Sequence, residues 1–399
     1  MKKVLFIIMD GLGDRPIKKL NNCTPLEYAK TPNLDLLACN SQCGMMYTLG
    51  VGVRPSSDVA HMTLFGLDYR QNYTGRGPIE LIGLGVEMGK ADLAFRGNFA
   101  VVDSEHIILD RRAKRQSPNE TILNSLKSTN IDGVEFKLHH IAEHRFALQV
   151  IGEQLSPNVT DSDPHIENVK TLEVLPSTND NESKFTASVL NKYIEKVNSI
   201  LKQLSLSSEA NTIILRGGGG KSEWNNFNEK YGFSSSCCVT NNALYNGIGT
   251  LLGMNVVIPK RFDNYKEYYK SIAKNVEKSL ENNDFVFLHI QEADLYGEDG
   301  DSINKYKVIE EIDTALSFLN KMNDNVLIIL TADHSTPCGL KAHSGDSVPI
   351  MIHGNDVRYD DVKYFNEKSC VKGGLGTIFG KDLMQIIINQ IGRAELIGN

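Results

Sequence analysis

The chain has 399 residues, of which 41% are apolar and 23% charged, with 33 glycines and 12 prolines. That is an ordinary globular composition, clear of the disordered and collagenous classes, and the length suggests two domains or one large domain with an insertion. With 42 Lys and Arg against 49 Asp and Glu, the net charge is −7; this is the wrong balance for a protein that neutralises a nucleic acid, although a small anion held by a few arginines is compatible with it.

In chain order, the first apolar run covers residues 4–9 and follows two lysines. It stops at Asp10-Gly11, too soon for a signal-peptide core, and reads as a strand. Residues 110–182 have shorter apolar runs and more Ser, Asn and Pro. The pieces 134–138 and 145–151 look like strands there, with Pro157-Asn158 and 177–183 as punctuation. This segment is expected to be a smaller inserted α+β domain, leaving 1–109 and 183–399 as a discontinuous core. Apolar residues recur at helical spacing over 185–204 and again over 306–319. The runs 213–215, 285–290 and 326–330 join 4–9 as expected buried parallel strands. Strands alternating with amphipathic helices predict an α/β core with a mostly parallel sheet and helices on both faces. No stretch reaches the ~18 uninterrupted apolar residues of a membrane span. Seven cysteines without a C-x-x-C pair fit reduced thiols in a cytoplasm.

Polar residues at the strand ends carry the chemistry. Asp10 closes the first run, Asp294 follows the third, and Asp333-His334 follow the fourth. In open α/β sheets, ligands bind beyond the carboxyl ends of the strands. One such acid reads best as a helix cap; three acids and a His at equivalent ends favour a shared site. Gly11-Leu12-Gly13 lacks the third glycine of a dinucleotide motif. Gly217 to Gly220 before Lys221-Ser222 resembles a P-loop, but Leu215 stands where the first glycine is required. Ser57, in Ser56-Ser57-Asp58, needs a base or a metal to become a nucleophile, and no G-x-S-x-G elbow is present. Asp294 and Glu298 could put two carboxylates on one side of a turn, which is also how a solvated acidic loop reads. Asp333-His334 with His343 nearby is a mixed O/N set suited to Mn, Zn or Co.

Taken in order, these pieces resemble the alkaline phosphatase superfamily and, within it, the archaeal-type 2,3-bisphosphoglycerate-independent phosphoglycerate mutases. The resemblance rests on Asp10-Gly11, Thr24-Pro25-Leu26, Thr31-Pro32-Asn33-Leu34, Ser57-Asp58-Val59-Ala60-His61, Thr74-Gly75-Arg76-Gly77-Pro78, Phe95-Arg96-Gly97-Asn98, Asp161-Ser162-Asp163-Pro164-His165, and the two closing Asp/His segments. It implies an alkaline-phosphatase-like core, two divalent metal ions (Mn, Zn or Co), no 2,3-bisphosphoglycerate, and a phosphoserine formed on Ser57. By matching position, one metal is expected on Asp10, Ser57, Asp333 and His334, and the other on Asp294, His343 and Glu298. Arg76, Arg96, Arg145, Arg216 and His165 are the expected substrate contacts. The inserted domain is expected to cover the substrate and exclude water. The chain departs from the family at Glu298, where a His is usual, which leaves a phosphatase, a mutase for another phosphorylated or phosphonate substrate, and a noncatalytic metal-binding paralogue as alternatives. The implied partner is a small phosphorylated substrate, with neither nucleic acid nor membrane; the oligomeric state, a homo-oligomer included, is left open.

Overall fold

A computed structural model describes residues 2–204, 210–322 and 325–398. Its strands, in chain order, are β1 Lys3–Met9, β2 Ser41–Tyr47, β3 Leu93–Val102, β4 Ile108–Asp110, β5 Thr129–Ile131, β6 Val134–Ala142, β7 Arg145–Ile151, β8 Thr212–Gly220, β9 Ser236–Val239, β10 Asn255–Val257, β11 Phe285–Ile290, β12 Val326–Thr331, β13 Val348–His353 and β14 Gly376–Phe379. The chain divides into two compact units. One comprises Met1–Asn72, Asn225–Asn241 and Ile248–Asn399, and the other Tyr73–Trp224 with Asn242–Gly247.

The first unit is α/β. Its sheet runs β10-β9-β11-β1-β12-β13-β2-β14. Pairing is parallel from β10 through β12 and again between β2 and β14, whereas β13 is antiparallel to both neighbours. Strands β1, β11 and β12 are buried along nearly their whole length, which is why they read as continuous apolar runs rather than alternating ones. Phe6, Phe65, Phe227, Phe285 and Phe287 meet edge-on or tilted in the core behind them, with ring centroids 4.6–6.5 Å apart. Register does the positioning. Met9 lies opposite Ile290 and Ile8 opposite Thr331, so three parallel strands end level and their next residues emerge together.

The second unit holds a six-stranded sheet, β4-β3-β7-β6-β5, with β8 also paired to β3, all antiparallel. The helix Asn181–Leu204 buries Val189, Leu190, Tyr193, Val197 and Leu201 against this sheet's core, with Tyr193 stacked on Phe136 at 4.5 Å.

Two expectations need correction here. The strand expected at 213–215 is β8, and it is not a parallel strand of the core sheet; it pairs antiparallel with β3 in the second unit. A short apolar run reports burial, and either sheet supplies that. The segment 110–182 is likewise only part of the second compact unit, because the sheet joins β3 before it to β8 after it, and the 181–204 helix packs on that same sheet.

Candidate functional site

The first unit gathers its polar residues at the carboxyl ends of β1, β11 and β12. Asp10 follows β1, and its N–H donates to Ile290 O at 2.8 Å. Asp294 lies in the first turn of the helix Glu292–Asp299, just past β11. Asp333 and His334 follow β12. All four are at least 94% buried. Asp10, Asp333 and His334 offer donor atoms within 4.8 Å of one another, and so do Asp294, His334 and His343. His334 Nε2 stands 3.4 Å from Asp10 Oδ1, 3.2 Å from Asp333 Oδ2 and 3.2 Å from Ser57 Oγ. Ser57 opens the helix Ser57–Leu64, so its hydroxyl sits where helix amides favour negative charge.

Hydrogen bonding aims the ligand atoms. The backbone N–H groups of Gly11 and His334 donate to Asp333 Oδ1 at 3.3 and 3.0 Å, leaving Oδ2 turned toward the cluster. His343 Nδ1 lies 2.9 Å from Pro55 O. A carbonyl only accepts, so Nδ1 carries a proton, and Nε2 is the atom that faces Asp294 Oδ1, 3.7 Å away. The His334 and His343 rings stack with centroids 3.6 Å apart, a contact two imidazolium ions would resist.

Electrostatics lead to the same conclusion. Burial, and next the charge of Asp10, push the carboxyls of Asp294 and Asp333 well above the usual carboxylate range. Burial, and next His343, hold His334 far below an ordinary imidazole. Three crowded buried carboxylates beside imidazoles form a mixed oxygen and nitrogen donor set of the kind that holds a divalent cation.

The sequence reading missed two histidines of this cluster. His61, one turn after Ser57, has Nδ1 2.7 Å from Ser57 O, and burial lowers its pKa to about 3. His289, inside β11, has Nε2 3.3 Å from Asp10 Oδ2. A His within an apolar strand carries no spacing signal, although His61 was within reach at one helical turn from Ser57. Also missed is Lys305, completely buried, which donates to Gly13 O, Asp14 Oδ2 and Thr336 O at 2.9–3.1 Å. Glu298 lies one turn beyond Asp294 on the same helix and outside both donor groups; its charge adds to the upward shift of Asp294.

The second unit holds an arginine cluster. Arg96 on β3 and Arg216 on β8 are cross-strand partners, an arrangement that is destabilising without anions. Arg76 Nε donates to Glu80 Oε1 at 2.7 Å, with Arg96 Nε 3.7 Å from the same oxygen. Arg145 also acts on the Glu80 charge. Arg111, missed from sequence, grips Asp163 with two hydrogen bonds of 3.0 and 2.6 Å, and Arg216 lies 3.3 Å from that carboxylate. Burial, and next Arg76, lower the Arg96 pKa well below that of a free guanidinium. Five guanidinium groups gather around the carboxylates of Glu80 and Asp163, and paired N–H donors of this kind suit anions. His165, over half exposed, faces Asp161 at 3.4 Å. The glycine run of β8 serves this cluster. A Cβ on Gly219 would lie 1.6 Å from Thr74 O, so only glycine lets the chain leading to Arg76 lie against the strand that carries Arg216.

The chain is similar to known proteins along its whole length. The sequence model of the 2,3-bisphosphoglycerate-independent phosphoglycerate mutases matches residues 38–206. A protein of that name from Methanocaldococcus jannaschii is 39% identical, covering 100% of this chain and 99% of its own length. One from Methanosphaera stadtmanae is 40% identical over 97% of each chain. Among solved structures, a Pyrococcus horikoshii protein is 32% identical with a TM-score of 0.82, covering 100% of this chain and 99% of its own. A cofactor-independent phosphoglycerate mutase from Thermoplasma acidophilum is 33% identical with a TM-score of 0.67, covering 98% and 100%. Identity at this level along the whole length, in a chain that carries a buried acid/histidine cluster and an arginine cluster, shows that it belongs to the 2,3-bisphosphoglycerate-independent phosphoglycerate mutase family.

Proposed function

We propose that the protein interconverts 3-phosphoglycerate and 2-phosphoglycerate without 2,3-bisphosphoglycerate, by way of a phosphoserine at Ser57. The observation that carries this reading is the buried cluster at the ends of β1, β11 and β12, with the Ser57 hydroxyl 3.2 Å from His334 Nε2. Asp10, Ser57, Asp333 and His334 would hold one divalent cation, and Asp294, His343 and Glu298 the other, with Mn, Zn or Co matching the mixed donors. Such cations supply Lewis-acid charge, which lowers the pKa of a bound hydroxyl and steadies the oxygens of a transferring phosphoryl group.

The residues of the chain account for the rest. Ser57 gives up its proton as Oγ forms a bond to the substrate phosphorus and the bond from phosphorus to the glycerate oxygen breaks; that oxygen leaves with the electron pair and takes up a proton. The other glycerate hydroxyl then loses its proton and attacks the phosphorus, the bond from phosphorus to Ser57 Oγ breaks, and Oγ takes a proton back. Arg76, Arg96, Arg145 and Arg216 would bind the carboxylate and phosphate oxygens, a task suited to their paired N–H donors. No helix among the described residues is long and apolar enough to cross a membrane, and a cytoplasmic site of action fits this metabolic reaction.

The test is an enolase-coupled assay on metal-stripped protein with 3-phosphoglycerate, adding Mn, Zn, Co or Mg in turn and following free phosphate in the same samples. Metal-dependent 2-phosphoglycerate with little free phosphate is expected. Phosphate release alone would make the protein a phosphatase, and silence with every metal would remove the mutase reading.

A further inference from the structure

Just past β12, a residue with no part in the proposed chemistry occupies the centre of the cluster. Thr336 is completely buried, and all its polar atoms are engaged. Its N–H donates to Gly13 O at 3.0 Å, and its carbonyl accepts from the Lys305 ammonium at 2.9 Å. The hydroxyl lies 2.6 Å from Asp294 Oδ1 and 3.1 Å from His334 Nδ1. Neighbouring backbone makes room for it. A Cβ on Gly11 would lie 2.6 Å from Thr336 Oγ1, and one on Gly297 would lie 2.8 Å from Thr336 Cγ2.

One hydroxyl has one proton to donate. A carboxylate that ligates a metal is ionised and only accepts, so the Thr336 proton goes to Asp294. The remaining contact then requires His334 Nδ1 to be the donor. With its proton on Nδ1, His334 turns the Nε2 lone pair toward Ser57 Oγ, Asp333 Oδ2 and Asp10 Oδ1, which lie at 3.2, 3.2 and 3.4 Å. A single hydroxyl thus orients Asp294, which belongs to one donor group, and His334, which is common to both. We propose that Thr336 is a positioning residue for the metal centre, fixing the His334 tautomer and the Asp294 rotamer together so that the two donor groups form as a unit. This rests on the metal-site reading above. Lys305 and Gly13 hold the Thr336 backbone in place.

The test reads Mn2+ affinity, by competition with a chromophoric chelator, in the wild type, Thr336→Val and Thr336→Ser. Valine keeps the shape and removes the hydroxyl; serine keeps the hydroxyl. Loss of such an outer partner costs about 10–100-fold in metal affinity, so Thr336→Val should weaken Mn2+ binding by about that factor while Thr336→Ser stays close to wild type. Equal affinity in the valine variant, or equal loss in both variants, would overturn the proposal. Independently of any variant, nitrogen chemical shifts of the Zn2+-loaded wild type should show His334 protonated at Nδ1, and an unprotonated Nδ1 would overturn it as well. Neither readout involves phosphoglycerate, so a failed mutase assay and a failed positioning role are separately visible.

Discussion

Ser57 and Glu80 show how much of this protein depends on where single charges and hydroxyls are held. Ser57 contributes a nucleophile to the proposed reaction, while the other six proposed metal ligands come from residues outside its helix. Ser57→Ala should therefore lower turnover by roughly 10³-fold or more while Mn2+ binding persists; turnover near wild type would remove the phosphoserine. Glu80 compensates Arg76 and Arg96 from a nearly buried position. Removing one partner of such a buried set costs about 3–5 kcal/mol, so Glu80→Ala should lower the urea midpoint of the second unit and raise the KM for 3-phosphoglycerate. Little of this was visible as chain pattern. Asp10, Asp294, Asp333, His334 and His343 could be singled out because they follow strands or cluster in sequence, and Ser57 through the family resemblance of its motif. Arg111 and His289 acquire their meaning only from neighbours that are distant in the chain.

The elements explain why those residues converge. Strands β1, β11 and β12 are adjacent, parallel and level at their ends, so residues 10, 294 and 333 meet although more than 300 positions separate the first from the last. The strand runs at 4–9, 285–290 and 326–330 were legible because full burial leaves a continuous apolar signature. The run at 213–215 carried the same signature and belongs to the other sheet, since burial does not encode the pairing partner. Its glycine tail is a packing device. Gly219→Ala would force the Thr74 carbonyl away, and overpacking of this kind costs typically 1–3 kcal/mol. The expected outcome is a less stable second unit and weaker phosphoglycerate binding, because the strand carrying Arg216 and the turn entering Arg76 separate; an unchanged KM would show that the close approach does not position the arginines.

For the whole molecule, stability should depend on metal and on pH. A ligand that binds only the folded state at a hundred times its Kd stabilises it by about 2.7 kcal/mol, so Mn2+ at that excess should raise the thermal midpoint of the first unit and EDTA should reverse the gain. Glu367 supplies a pH term away from the metal cluster. Its carboxylate accepts from Thr24 Oγ1 at 2.8 Å and Asp14 N at 3.2 Å, and burial pushes its pKa up from 4.5 to about 7. The folded state then binds this proton more tightly than the unfolded state does. The associated stabilisation is complete below about pH 4.5, and falls away as the pH rises toward 7. Glu367→Gln should flatten the decline of the urea midpoint across that window, and an unchanged slope would assign the decline to other groups.

By itself, the sequence determined the α/β class, the central strands and most of the acid/histidine constellation, because burial periodicity and polar residues at strand ends are local properties. Its ordered motifs also carried the family resemblance. The tertiary structure decided the extent of the second unit, the partner of β8, the pairing of Arg111 with Asp163 and the tautomers that Pro55 and Thr336 impose on His343 and His334. Those depend on strand register and on hydrogen bonds between segments far apart in the chain, and no local pattern of residues specifies either.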